Sequence, residues 1–162
     1  MEDFLSQNGF VSLSVQGVNN FRGIEKDLKS IEEVLEEKIK DIYVFYDADL
    51  VHNGNVFEAA VKLGRYLEKK RSKISVKYVV WPSEYGKGID DLLLSRNKDK
   101  CRIYDLDTFE SIFTESFETA AENAGISLSD IARTTKEDRN RFLEEFRILN
   151  IQAFGLDKEN SY

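Results

Sequence analysis

YVFYDADLVHNGN, residues 43–55, is an apolar run that stops abruptly on two aspartates one residue apart, Asp47 and Asp49. Extended back by two residues it gives DIYVFY (41–46), whose length and β-branched and aromatic content fit a buried parallel strand. After the loop the period changes. Across about 55–70, Val56, Ala59, Ala60, Leu63 and Leu67 recur at helical spacing and predict an amphipathic helix. KISVKYVVW (73–81) reads as the next strand, closed by the chain's single proline, Pro82, and a glycine-rich loop, SEYGKGIDD, leads into LLL.

Working outward, FVSLSV (10–15) alternates apolar and polar residues as a strand does, after a short helix ending near Gly9. A helix is predicted over about 25–39, with Ile31, Val34, Leu35 and Ile39 on its inner face. Strands alternating with helices of this length predict an α/β fold: a parallel sheet built from right-handed βαβ units and flanked by helices. Beyond residue 100 the texture changes. CRIY reads as a short edge strand, and LDTFESIFTESFETAAENAG and TTKEDRNRFLEEFRIL read as two helices forming a C-terminal helical extension. Gly125 is the expected stop of the first, Thr135 with Asp138 the expected start of the second, and Ser127–Ile131 a turn between them. The expected division is therefore 1–100 for the α/β domain and 101–162 for the extension.

In an open parallel sheet, ligands bind beyond the carboxyl ends of the strands, where Asp47 and Asp49 lie. Residues two apart on a strand point to one side. Paired carboxylates there repel unless they are protonated, hydrogen-bonded or bridged by a cation. Magnesium suits such a place, because it takes one or two carboxylates and completes its shell with water or phosphate. GKGIDDLL (86–93) follows the next strand and brings Asp90 and Asp91 to the same edge, and strands about 4.8 Å apart let their carboxylates share an ion. The competing expectation is structural: Asp49 or Asn53 caps the following helix, Asp47 makes a turn, and Asp90 caps a helix beginning at Asp91.

Composition narrows the function. The 162 residues, 41% hydrophobic and 12% aromatic, suffice for one domain with a real core. A single cysteine, Cys101, allows no internal disulfide; with no signal-peptide pattern and no long apolar run, the expected location is cytoplasmic. Thirty acidic against twenty-three basic residues give a net charge of −7, which opposes a polyanion unless a divalent ion reverses the local sign. Lys69, Lys70, Arg71 and Lys73 read as a solvated helix end rather than a phosphate track. His52, the only histidine, reads as an exposed loop residue, Cys101 as packed, and Trp81 and Tyr85 as core, with base stacking the alternative. No Ser/His/Asp or Cys/His set assembles around His52, and NGN and GKG lack P-loop spacing.

Taken together, VFYDADLVHNGNVFEAAVKLGRYLEKK…ISVKYVVWPSEYGKGIDDLL resembles the second half of a Toprim domain, the metal-binding fold of bacterial primases, topoisomerases, OLD-type nucleases and recombination mediators. It is most similar to the Toprim-like domains of plasmid and phage replication proteins. Those have a strand ending Asp-x-Asp, an Asn-x-x-Val-x-x-Ala helix, a strand ending in Pro, then Lys-Gly-x-Asp-Asp-x-Leu. Here Asn53, Val56, Ala59 and Ala60 approximate the helix, Pro82 and Lys87 to Leu92 match the closing motif, and Gly17 and Val18 fall in the preceding loop; the resemblance spans about 3–95. It implies a Toprim-like, Rossmann-like sheet that binds Mg²⁺ or Mn²⁺ through Asp47, Asp49 and Asp90, with Asp47 and Asp49 also catalytic. The partner it implies is nucleic acid, reached through the metal. One element departs from the pattern. A Toprim domain opens with a strand ending Glu-Gly, whereas Glu2 has neither an apolar strand before it nor a glycine after it, leaving Asp3 as the one candidate for the motif's downstream acid. The chain is expected to be a piece of a longer protein or a degenerate domain, with little phosphoryl transfer of its own.

Two other functions remain open at this stage. One is a non-catalytic interaction module whose acidic tail (Glu110, Glu115, Glu118, Glu122) meets a protein partner, or whose open sheet edge pairs with a second copy. The other is a haloacid-dehalogenase-like phosphatase, which FYDADLV resembles, although that motif sits on the first strand and needs a longer interval before its next acids.

Overall fold

The computed structural model describes residues 23–51, 54–127, 129 and 133–156, with the backbone alone at Asp49, Val51 and Lys98. The predicted helix before Gly9, the strand over 10–15, Glu2, Asp3, Gly17, Val18, His52, Asn53 and most of the Ser127–Ile131 turn lie outside the described residues.

The elements run α1 (Ile24–Leu35), β1 (Asp41–Phe45), α2 (Gly54–Lys70), β2 (Ser75–Val80), α3 (Ile89–Leu94), β3 (Arg102–Asp105), α4 (Leu106–Asn123) and α5 (Lys136–Ala153). The described strands form one sheet in the order β1–β2–β3. β1 and β2 are parallel, in register from Asp41 opposite Ser75 to Phe45 opposite Val79. β3 departs from the expected parallel sheet. It runs antiparallel to β2, with Arg102 opposite Val80 and Asp105 opposite Lys77. The reason is the connection. α3 has six residues, about 9 Å of helix, too short to carry the chain back along β2, so β3 enters from the carboxyl end. The sheet is therefore mixed α/β, and it extends past residue 100.

Alternation along the strands separates two layers. Val44, Val76, Tyr78 and Val80 face a core shared with α1, α2 and α4, in which Phe57, Ala60, Leu63, Leu67, Leu106 and Phe109 are buried. Val79 and Trp81 face the other side, packed with Ala48, Leu92 and Cys101. A third cluster, around Ala120, Ala121, Phe142 and Phe146, joins α4 to α5. Helix α2 matches its predicted stripe, with Phe57 added to it and Val56 only half-buried. Gly64 lets it approach the sheet closely: a Cβ there would overlap the Tyr78 hydroxyl and press on Leu106. That hydroxyl donates a 2.6 Å bond to the Ala60 carbonyl one turn earlier.

The inner face of α1 differs from expectation. Val34 and Leu35 are 83% and 49% exposed, while Ile24, Leu28 and Glu32 point inward. The helix also stops early, at Glu36 in the left-handed region (φ 54°). Glu32 is tolerated inside because its carboxylate accepts the Ile39 N–H at 2.8 Å and pairs with Arg71 at 2.8 Å, while Arg71 also holds Glu25 at 2.9 Å. This triad replaces the apolar contact that the sequence pattern assigned to Val34 and Leu35.

The Ile39 N–H, and then Arg71, hold the Glu32 carboxyl below its ordinary 4.5, against desolvation. A carboxyl lowered in the folded state stabilises above its unfolded pKa, and that stability is lost as pH falls through the folded one. Glu32→Gln should therefore melt below the wild type near pH 7, with the gap closing as pH falls through and below the ordinary carboxylate range. Thermal melts across that range check the sign; a gap constant with pH would place the stabilisation elsewhere.

Candidate metal centre

Two short loops at the carboxyl ends of β1 and β2 make the site. After Phe45 the chain passes through Tyr46 and Asp47 into a 3-10 turn, Ala48–Val51. That turn is closed by the Leu50 N–H donating to the Asp47 carbonyl at 3.0 Å. After β2 a second 3-10 turn, Ser83–Tyr85, leads through Gly86, Lys87 and Gly88 into α3. The two loops are bonded directly: the Ala48 N–H donates to the Lys87 carbonyl at 2.7 Å. The Cβ of a larger residue at Gly88 would rest 3.8 Å from Asp47 Oδ1, so the second loop passes within contact distance of that carboxylate. Asp90 lies two residues further on, exposed in the first turn of α3.

Asp47 is likewise exposed, and both acids therefore open to the edge of the sheet. Asp49 lies in the Ala48–Val51 turn, described by its backbone alone, and four residues separate it from the first residue of α2. Asp90 is not the α3 cap. The helix begins two residues earlier than expected, at Ile89 after Gly88, and the Asp91 carboxylate accepts the Gly88 N–H at 3.4 Å. Asp91 does the structural work at this helix start, which leaves Asp90 for other contacts.

The second loop is anchored from below. Trp81 is 1% exposed, and its indole N–H donates to the Gly86 carbonyl at 2.9 Å. Gly86 has φ 133° and ψ 150°, a region essentially restricted to glycine. A Cβ there would overlap the Asp91 Cβ and crowd the backbone at Asp91 and Leu92. Trp81 and Gly86 were not singled out as site residues by spacing. The signal available was a tryptophan at the strand end followed five residues later by glycine.

Among the described residues, no group of three or more His, Cys, Asp or Glu is placed to hold an ion. Magnesium does not require three, since it commonly takes one or two carboxylates and keeps several waters. Exposed hard oxygen donors on Asp47 and Asp90, on loops that touch, fit that demand.

Other candidate residues have structural roles. Trp81 is core, and Tyr85 packs half-buried against the same cluster. Cys101 is fully buried, and burial pushes its thiol up to about 11, far from a reactive thiolate. Lys69, Lys70 and Lys73 are exposed, but Arg71 belongs to the α1 triad. Of the acidic tail, Glu110 pairs with Arg65 at 3.1 Å, while Glu115, Glu118 and Glu122 are exposed. None of the helices in the described residues is long and apolar enough to cross a membrane.

Comparison with curated proteins returns no match, and comparison with solved structures returns none. A family model does match, over residues 3–100, and it takes in both acidic loops, β1, β2, α2 and α3. By that match the chain belongs to the family described as Domain of unknown function (DUF3854).

Proposed function

We propose that the chain is a Toprim-like, Mg²⁺-binding domain that engages nucleic-acid phosphodiesters through an ion held by Asp47, Asp49 and Asp90. The observation that carries this reading is the 2.7 Å bond from the Ala48 N–H to the Lys87 carbonyl. It ties the loop of the first two aspartates to the loop of the third, at the sheet edge where ligands bind. A bound divalent ion supplies positive charge that neutralises a phosphoryl group and orients it. The chain's own residues supply the rest. Asp47 and Asp90 present acceptor oxygens, Asp91 fixes the start of α3, and Lys87, exposed between them, offers a cation to the phosphate. No glutamate in these 162 residues is followed by glycine, so what these residues contribute to the Toprim pattern is its aspartate half, which binds the ion.

A second reading, a non-catalytic interaction module, is favoured by one feature. A groove of about 490 Å³ between the start of α2 and helices α4 and α5 is lined by Phe57, Phe113, Phe117 and Phe142, with Leu143 51% exposed at its wall.

Fluorescence anisotropy of a labelled single-stranded oligonucleotide separates the two. With a net charge of −7, binding should require Mg²⁺, reverse on chelation, and disappear in Asp47→Asn. Binding that persists in chelator, or no binding at any Mg²⁺ concentration, contradicts the metal-bridged reading.

A further inference from the structure

Trp81 is the chain's single tryptophan, and it is buried beneath the loop that carries Asp90. Its ring packs with Val79, Leu92 and Cys101, which is ordinary core. Its indole N–H is not spent on the core. It reaches the Gly86 carbonyl at 2.9 Å, in a segment whose backbone conformation only glycine adopts readily. Three restraints then follow within five residues. Gly86 is held by Trp81, the Lys87 carbonyl is held by the Ala48 N–H, and the Gly88 N–H is held by the Asp91 carboxylate. The segment between the two aspartate loops therefore has little freedom, although it is a glycine-rich turn. A buried indole N–H needs an acceptor in any fold, and the acceptor here is the carbonyl that opens the segment between the two aspartate loops. A loop that must present one carboxylate opposite another gains from that bond, since groups orienting ligand donors are what tune a metal site.

We infer that Trp81 is a positioning residue for the acidic edge: by holding the Gly86 carbonyl, its indole N–H sets Asp90 opposite Asp47 for one shared divalent cation. This rests on the metal reading above. Trp81 touches neither the ion nor the substrate; it acts through Gly86 and the start of α3. Trp81→Phe keeps a buried aromatic ring and removes only the donor and part of the ring volume. The structural role is packing, and the positioning role is the hydrogen bond, so the two are separable by what each variant does to metal affinity at a given degree of folding.

The test uses the full chain and Mn²⁺ alone. Free Mn²⁺ is followed by electron paramagnetic resonance for wild type and Trp81→Phe, each checked for folding by circular dichroism. Trp81→Phe should bind about tenfold more weakly while retaining its secondary structure. In wild type, Mn²⁺ should also quench the Trp81 emission with the same midpoint as the resonance signal, and excess Mg²⁺ should restore it. That second measurement stands even if Trp81→Phe fails to fold. Equal Mn²⁺ affinity in a folded Trp81→Phe, or Mn²⁺ binding without quenching, overturns the positioning role and leaves the metal reading intact. No Mn²⁺ binding by the wild type overturns the metal reading and the positioning role with it.

Discussion

Phe109→Ala is expected to lower the free energy of unfolding by about 3–5 kcal/mol. Phe109 is fully buried and stacks on Tyr78 of β2 at 4.2 Å and on Phe57 of α2 at 4.6 Å between ring centroids. Truncation removes its transfer free energy and leaves a cavity between sheet and helix. Collapse is hindered, because Gly64 already sets α2 close against Tyr78. Phe109 belongs to α4, past the end of the family match at residue 100. A large loss therefore means that the matched segment and α4 share one core, and that ending the chain at residue 100 exposes Tyr78 and Phe57. Urea unfolding followed by circular dichroism measures it. A loss under about 1 kcal/mol would mean that α4 is only loosely attached.

The elements whose apolar pattern agrees with their surroundings were legible in the sequence. α2 and β2 fall within a few residues of expectation, because Ala60, Leu63, Leu67, Val76 and Tyr78 each face the core their period assigns them. α1 was not legible on its inner face. Its buried stripe is Ile24, Leu28 and Glu32, and the last member is inside only because Arg71, distant in sequence, is there to pair with it. No local period encodes such a partner. The direction of β3 was hidden for a related reason. RIYD reads the same in either orientation, and only the shortness of α3 decides which end of β2 it meets.

At the candidate site, the meeting of the two acidic loops was readable, because both follow adjacent parallel strands. The division of labour between Asp90 and Asp91 was not. Moving the helix start two residues back, to Ile89, puts Asp91 where its carboxylate reaches the Gly88 N–H, and two adjacent aspartates give no sign of which will do so. The indole bond to Gly86 was equally silent, since a strand-end tryptophan looks like core, and it is core on every atom except Nε1.

The most direct test is a calorimetric Mn²⁺ titration of wild type and Asp47→Asn. Asp47→Asn keeps the shape of the side chain, and the turn is closed by the Asp47 backbone carbonyl rather than by its carboxylate, so the fold should survive the change. Removing one of two or three anionic donors from a Mg²⁺-type site should weaken binding by about a hundredfold, at least as much as losing an outer-shell partner. At metal concentrations near a hundred times Kd, wild type should also gain about 2.7 kcal/mol of stability, and Asp47→Asn should gain little. One saturable site in wild type, lost or weakened about a hundredfold in a folded Asp47→Asn, is the result expected. Wild type that shows neither heat nor a shift in Tm, or Asp47→Asn that binds as tightly as wild type, would contradict a metal centre built on Asp47.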